Sequence, residues 1–220
     1  MKFYKNLIRT FNDLPEYTSV LIHSLVGCNF YCYGCHNYGE IVAKKHSEFF
    51  TSEDIIEQIK LNGFLFNAII FSGGEFLIED FNSITKLLKE LRVIFDGKII
   101  INTNGSFPDK IKYLLEFQLV DGFHIDMKLP YHALDINKDQ EIYKSIIGFK
   151  PSQRLINNML SSIELIIENN SPISQVRTVK YPILDQDFFS EIESYIVQLN
   201  KKFNSNVTYK LNEFLIKTNT

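Results

Sequence analysis

The chain has 220 residues, 45% of them hydrophobic and 22% charged, which is enough apolar material for a packed core and too little charge for a disordered chain. Its formal net charge is −3, with 23 Lys and Arg against 26 Asp and Glu, so the concentrated positive face that nucleic-acid binding needs is not expected. No apolar run approaches the ~20 residues that span a bilayer, and the first residues lack the apolar stretch of a signal peptide, so the expected location is cytoplasmic with no membrane partner.

Residues 1–18 alternate polar and apolar positions and read as an N-terminal arm; residues 19–220 read as one domain. A β-branched run over 19–26 is the first predicted strand. The helix predicted over 52–62 opens with Thr51, Glu53 and Asp54 and sets Ile55, Ile56 and Ile59 on one face. A second strand over 67–72 leads to a helix over 80–92, where Ile84, Leu87, Leu88 and Leu91 keep the same spacing. Strand 98–103 precedes a helix over 108–118 that starts with Pro108, where a missing N–H costs nothing. Strand 120–127 is followed by a helix over 152–169, strand 173–180 by a helix over 187–202, and a sixth strand covers 206–211.

Strand and helix in alternation mean parallel strands with helical crossovers, an α/β fold. Six strands are too few for a complete eight-stranded barrel, which leaves an open doubly wound sheet or a partial barrel. In either, ligands belong beyond the C-terminal ends of the strands. That rule selects 28–37, 73–75, 104–105, 126–128 and 181–182. The connections 27–51 and 129–151 are longer than compact domains usually carry, so function is expected in them.

All three cysteines lie in the first of these connections, as Cys28, Cys32 and Cys35. Thiols so close together in a reducing compartment read as metal ligands before they read as disulfides. A structural zinc site needs a fourth ligand. His36 could supply it and make the chain a non-catalytic zinc-binding interaction module, although it directly follows Cys35 and would chelate awkwardly. The alternative is a 4Fe–4S cluster with one iron left open for a small molecule.

The pattern Cys28-x3-Cys32-x2-Cys35 after a first strand resembles the signature of radical S-adenosylmethionine (SAM) enzymes. In that family the open iron is chelated by the amino and carboxylate groups of SAM. Ser72-Gly73-Gly74-Glu75 is similar to the family's Gly-Gly-Glu motif, whose backbone and carboxylate hold the SAM amino group. Val26-Gly27-Cys28 and Cys35-His36-Asn37 resemble the glycyl-radical-enzyme activases. Many members have an aromatic residue before the third cysteine; Gly34 stands here, as in the branch that activates anaerobic ribonucleotide reductase. Val120-Asp121-Gly122 with Asp126-Met127-Lys128 is similar to that branch, and Leu129-Pro130 with Tyr143, Ile147 and Gly148 to its longer relatives. Asn102-Thr103-Asn104-Gly105 resembles an Asp-Thr-Asn-Gly segment of pyruvate formate-lyase activases, with Asn in the first place.

The resemblance implies a partial (β/α)6 barrel with a 4Fe–4S cluster held by Cys28, Cys32 and Cys35. SAM would be held by Gly34, His36, Gly73, Gly74, Glu75, Asn102, Asp126, Lys128 and Arg177. It further implies generation of a glycyl radical on a large partner, the anaerobic ribonucleoside-triphosphate reductase, with a one-electron donor such as flavodoxin or ferredoxin. The alternative within the enzyme class is a small radical SAM enzyme acting on a small molecule, of the 7-carboxy-7-deazaguanine synthase type. His23 and His124 read as ordinary strand residues, and His132 as solvent-exposed.

Overall fold

The computed structural model describes residues 1–215. Nine strands and six α-helices occur among them. In chain order they are β1 (Lys2–Phe3), β2 (Ile8–Thr10), β3 (Ser19–Ser24), β4 (Phe50–Thr51), α1 (Ser52–Asn62), β5 (Ala68–Gly73), α2 (Phe81–Ile94) and β6 (Lys98–Thr103). There follow α3 (Pro108–Glu116), β7 (Gly122–Asp126), α4 (Gln140–Ile147), α5 (Gln153–Asn169), β8 (Gln175–Lys180), α6 (Gln186–Phe203) and β9 (Thr208–Glu213). The six expected strands and five expected helices are present with ends within two residues of prediction. β1, β2, β4 and α4 were not predicted.

The chain divides into two compact units. The first comprises Met1–Asn29, Asn37–Thr103 and Lys112–Phe123; the second comprises Phe30–His36, Asn104–Ile111 and, of the described residues, 124–215.

In the first unit β3, β5 and β6 are parallel neighbours, with Ile22 beside Phe71 and Ile70 beside Ile100. Every residue of β5 is buried, as a strand covered on both faces must be. Ile69, Ile70 and Phe71 are wholly inaccessible, each worth ~1.5–3 kcal/mol relative to exposure. The N-terminal segment supplies β1 and β2, both antiparallel to β3. Phe3 of β1 joins Phe71 and Phe76 in a ring cluster, with Phe71 and Phe76 stacked at 4.7 Å. Helix α1 starts as its sequence implies. The Thr51 hydroxyl accepts from the Asp54 amide, and the Asp54 carboxylate accepts from the Thr51 amide at 2.7 Å.

The second unit holds parallel β7, β8 and β9, in register at Asp126–Arg177 and Arg177–Lys210. Helix α5 is capped by Ser152, whose hydroxyl accepts from the Leu155 amide, and buries Ile156, Met159, Ile163, Ile166 and Ile167. Helix α4 lies inside the connection 129–151 that sequence length marked for function. It buries Tyr143, Ile146 and Ile147 and ends at Gly148. His132, expected in solvent, is instead half-buried. Its ring stacks on Tyr195 of α6 at 3.9 Å and bonds the Glu191 carboxylate at 3.0 Å.

Candidate active site

In the first unit, the two glycines of the Gly-Gly-Glu motif bring three backbone segments together. Gly73 ends β5 opposite Ser24, the last residue of β3. Its φ of +121° is one that L side chains rarely adopt, and a Cβ there would collide with the Ser24 main chain. A Cβ on Gly74 would collide with the Gly27 carbonyl. The next amide, Glu75 N–H, donates to that same carbonyl at 2.8 Å. What excludes side chains here is protein backbone: the turn 73–75 is fastened to the loop that carries Cys28. The Asn37 side-chain amide donates to the Gly73 carbonyl at 2.7 Å, so the residue ending Cys-His-Asn also touches the Gly-Gly-Glu turn.

Glu75 is 1% exposed. One of its carboxylate oxygens accepts from the Thr103 hydroxyl at 3.0 Å and from the Leu77 amide at 3.2 Å, capping the turn Phe76–Ile78. Asn102, half-buried at the end of β6, donates to the Ser72 hydroxyl at 3.2 Å, and its own carbonyl oxygen is buried without a hydrogen-bond partner among the described residues.

In the second unit the loop with Cys32 and Cys35 is strapped to the end of α4. Tyr31 N–H donates to the Ile147 carbonyl at 3.0 Å and Tyr33 N–H to the Ile146 carbonyl at 2.9 Å. Cys35 N–H closes a turn onto the Cys32 carbonyl at 3.2 Å. Gly148, with φ +88°, ends the helix so close to Tyr31 that a Cβ would lie 2.7 Å from its carbonyl oxygen. Gly34 lies beneath the Phe214 ring, with two ring atoms 2.5 Å from where its Cβ would stand. Tyr33, Tyr181 and Phe214 form an aromatic group around it, with centroids 5.5–6.2 Å apart. His36 is exposed.

Asp126 ends β7, and Lys128 turns back to it, Nζ to Oδ2 at 2.8 Å. Arg177 on β8 reaches the other carboxylate oxygen at 3.6 Å and the His124 ring at 3.3 Å. Burial works against both charges of the Asp126–Lys128 pair, but their mutual attraction prevails. Lys128, only 9% exposed, is held well above the ordinary lysine range, and Asp126 lies below the ordinary carboxylate range with Arg177 assisting. Burial pushes the Tyr181 phenol up to about 12, against the pull of Lys128 and with Cys32, Asp126 and Cys35 adding to the rise. Sequence reading singled out Asp126, Lys128 and Arg177 for the site; it held Thr103 only as part of the Asn-Thr-Asn-Gly segment, took His124 for an ordinary strand residue and passed over Phe214, because the pairings of these three are tertiary.

A model of the radical SAM superfamily matches residues 22–189. The chain belongs to the radical SAM superfamily. A protein of Methanocaldococcus jannaschii provisionally named as a glycyl-radical enzyme activating enzyme is 28% identical over 82% of this chain and 69% of its own length. Proteins of Saccharolobus islandicus provisionally named GTP 3′,8-cyclase are 28% identical over 63% of this chain and 41% of theirs. Among solved structures, anSMEcpe with bound AdoMet is similar at TM-score 0.55 and 16% identity, over 86% of this chain. Coproporphyrinogen III oxidase of Escherichia coli is similar at TM-score 0.54 and 14% identity, over 87%. This chain spans about half the length of those two structures, 47% and 43%. The fold is the α/β fold of parallel strands expected from the sequence, a partial barrel in class.

A radical SAM enzyme uses a 4Fe–4S cluster and SAM as cofactors, and the chain's residues fit them. Cys28, Cys32 and Cys35 are half-buried, no disulfide joins them, and the loop segments on which they stand are tied by main-chain bonds. Among the described residues no three His, Cys, Asp or Glu side chains are gathered into a ligand set. Ligation of iron by the three thiolates would add binding free energy to folding free energy. No helix of the described residues is long and apolar enough to cross a membrane.

Proposed function

We propose that this radical SAM enzyme generates a glycyl radical on a large partner enzyme, an anaerobic ribonucleoside-triphosphate reductase, drawing electrons from a flavodoxin or ferredoxin. The observation that carries the reading is the likeness to the glycyl-radical enzyme activating protein, which extends over 82% of this chain and 69% of that one. The bond between Asn37 and Gly73 supports it, because it joins the Cys-His-Asn and Gly-Gly-Glu motifs on which the resemblance rests.

In this reading Cys28, Cys32 and Cys35 ligate the cluster. A cluster held there would supply one-electron reduction of SAM, the chemistry needed to remove the Cα hydrogen of the partner's glycine. The turn Gly73-Gly74-Glu75 holds the ammonium of SAM, a cation that suits a carboxylate and close-lying carbonyls. Arg177 holds its carboxylate, while Asp126, Lys128 and Asn102 orient the nucleoside. Gly34 and His36 border the cofactor on the cysteine loop.

The test is to mix the protein anaerobically with SAM, a strong reductant and the reductase from the same genome. A doublet in the electron paramagnetic resonance spectrum, collapsing when the glycine carries deuterium at Cα, is expected on the reductase. SAM cleavage with no radical on that protein would favour the second reading, a small-molecule substrate, to which the likeness to GTP 3′,8-cyclases gives support.

A further inference from the structure

Of the charged residues proposed to hold SAM in the second unit, Asp126 and Lys128 pair closely with each other, whereas Arg177 meets both Asp126 and the ring of His124. His124 lies on β7 two residues before Asp126, so both side chains leave the strand on one face, and Asp126 is the register partner of Arg177 on β8. The guanidinium lies nearer the imidazole than the carboxylate. Nη1 lies 3.3 Å from His124 Nδ1, whereas Nη2 lies 3.6 Å from Asp126 Oδ1. The close bond of Asp126 goes to Lys128 instead, at 2.8 Å.

A guanidinium has five N–H donors and no acceptor, so in this contact His124 Nδ1 accepts, which puts the ring proton on Nε2, a buried atom with no hydrogen-bond partner among the described residues. The ring is therefore neutral. His124 is 0% exposed. Burial, and then the charge of Arg177, press its pKa well below the usual histidine value; Lys210 acts in the same direction, while Asp126 and the Ile173 backbone oppose them. A carboxylate in this place would orient Arg177 and also cancel its charge. A hydrocarbon would do neither.

We infer that His124 is a positioning residue that aims the Arg177 guanidinium while adding no second negative charge beside Asp126, so that the guanidinium is presented to an anionic group, the carboxylate of SAM. The inference rests on the proposed role of Arg177 in holding SAM.

Three variants separate the two ideas: His124→Phe, which fills the space without an acceptor; His124→Asn, whose amide oxygen stands near the Nδ1 position; and Arg177→Ala. SAM dissociation constants are measured by calorimetry on cluster-reconstituted protein, with iron content and thermal midpoint recorded for each. His124→Phe should weaken SAM binding about tenfold, and His124→Asn should restore it to within about threefold of wild type, the scale of one charge-assisted contact. Iron content should be unchanged in both. Wild-type affinity in His124→Phe, together with weakened binding in Arg177→Ala, would overturn the role of His124 and leave that of Arg177 intact. Equal losses in the Phe and Asn variants would also overturn it, since a packing role cares nothing for an acceptor. Wild-type affinity in Arg177→Ala would remove the underlying reading. Should His124→Phe fail to fold, nitrogen NMR of histidine-labelled wild-type protein decides instead, with His124→Asn assigning the signal. An unprotonated Nδ1 is required, and a protonated one sinks the inference.

Discussion

Glu75 has two tasks that a single truncation would confound. Its carboxylate caps the turn Phe76–Ile78 and receives the Thr103 hydroxyl, and it is proposed to pair with the SAM ammonium. Glu75→Gln keeps an oxygen for Thr103 and Leu77 but removes the charge. SAM affinity should then fall by about 1.5–3 kcal/mol while thermal stability stays near wild type. Glu75→Ala should lower both. Calorimetry and a thermal melt on the same preparations give the answer, and undiminished SAM affinity in Glu75→Gln would assign Glu75 to structure alone. The cysteines permit a plainer experiment. Replacing any one of Cys28, Cys32 or Cys35 with Ala should abolish both iron loading and SAM cleavage under anaerobic conditions. Retention of iron and sulfide by one of these variants would strike that residue from the ligand set.

Among the elements, α4 shows what sequence periodicity passes over. It makes two turns, and its apolar positions Tyr143, Ile146 and Ile147 are too few to stand out within a connection that otherwise reads as loop. Asp139 before it and Gly148 after it were the available signals. β1 and β2 were missed for a similar reason, since two or three residues carry no detectable alternation. Longer elements were legible because burial on one or both faces dictates their patterns, as in β5 and α5. Gly148→Ala tests the role of α4. The left-handed backbone alone costs ~1–2 kcal/mol, and the added carbon meets the Tyr31 carbonyl. The urea midpoint should drop accordingly, and iron retention should fall although no ligand is altered. Wild-type iron retention would show that α4 does not hold the cysteine loop.

Asp121 belongs to the same scale. Its Val-Asp-Gly setting contributed to the family resemblance, yet its structural work is a clamp. The carboxylate accepts from Arg92 at 2.6 Å, from the Ile99 amide at 2.8 Å and from Lys98 at 3.2 Å, joining α2 to the start of β6. Burial opposes the charge, but the Ile99 amide and Arg92 outweigh it and hold the carboxyl below its ordinary range. A carboxylate depressed in the folded state binds fewer protons there than when unfolded, so its stabilisation is present above the ordinary carboxylate range and fades as pH falls through it. Asp121→Asn should be less stable than wild type by about 2 kcal/mol at pH 7, and the gap should narrow below about pH 4. Denaturant titrations at both pH values check this; a gap independent of pH would mean that charge plays no part.

For the molecule as a whole, motif spacing made the family legible, while partner choice rests on likeness. Cys28-x3-Cys32-x2-Cys35 and Gly73-Gly74-Glu75 are local in sequence and could be read directly. Pairings such as Arg177 with His124, or Phe214 over Gly34, join segments far apart in the chain and leave no local trace. If the partner is a glycyl radical enzyme, 5′-deoxyadenosine should accumulate in a one-to-one ratio with radical spins on that partner. Chromatography and spin counting on one sample would show it. Turnover continuing long after the spins saturate would point to a small-molecule substrate.

The straps from Tyr31 and Tyr33 to the last turn of α4 also bear on the order of events during synthesis. The cysteine loop is made early, but the carbonyls of Ile146 and Ile147 that receive it are made more than a hundred residues later. At ribosomal speeds of 5–20 residues per second that interval is roughly 6–20 s. Through all of it Cys32 and Cys35 stand on an unanchored segment, open to oxidation or to capture by the wrong metal. Iron delivery is therefore best timed after translation has passed Gly148, and a nascent chain stalled short of that point should take up a cluster poorly even with all three cysteines exposed.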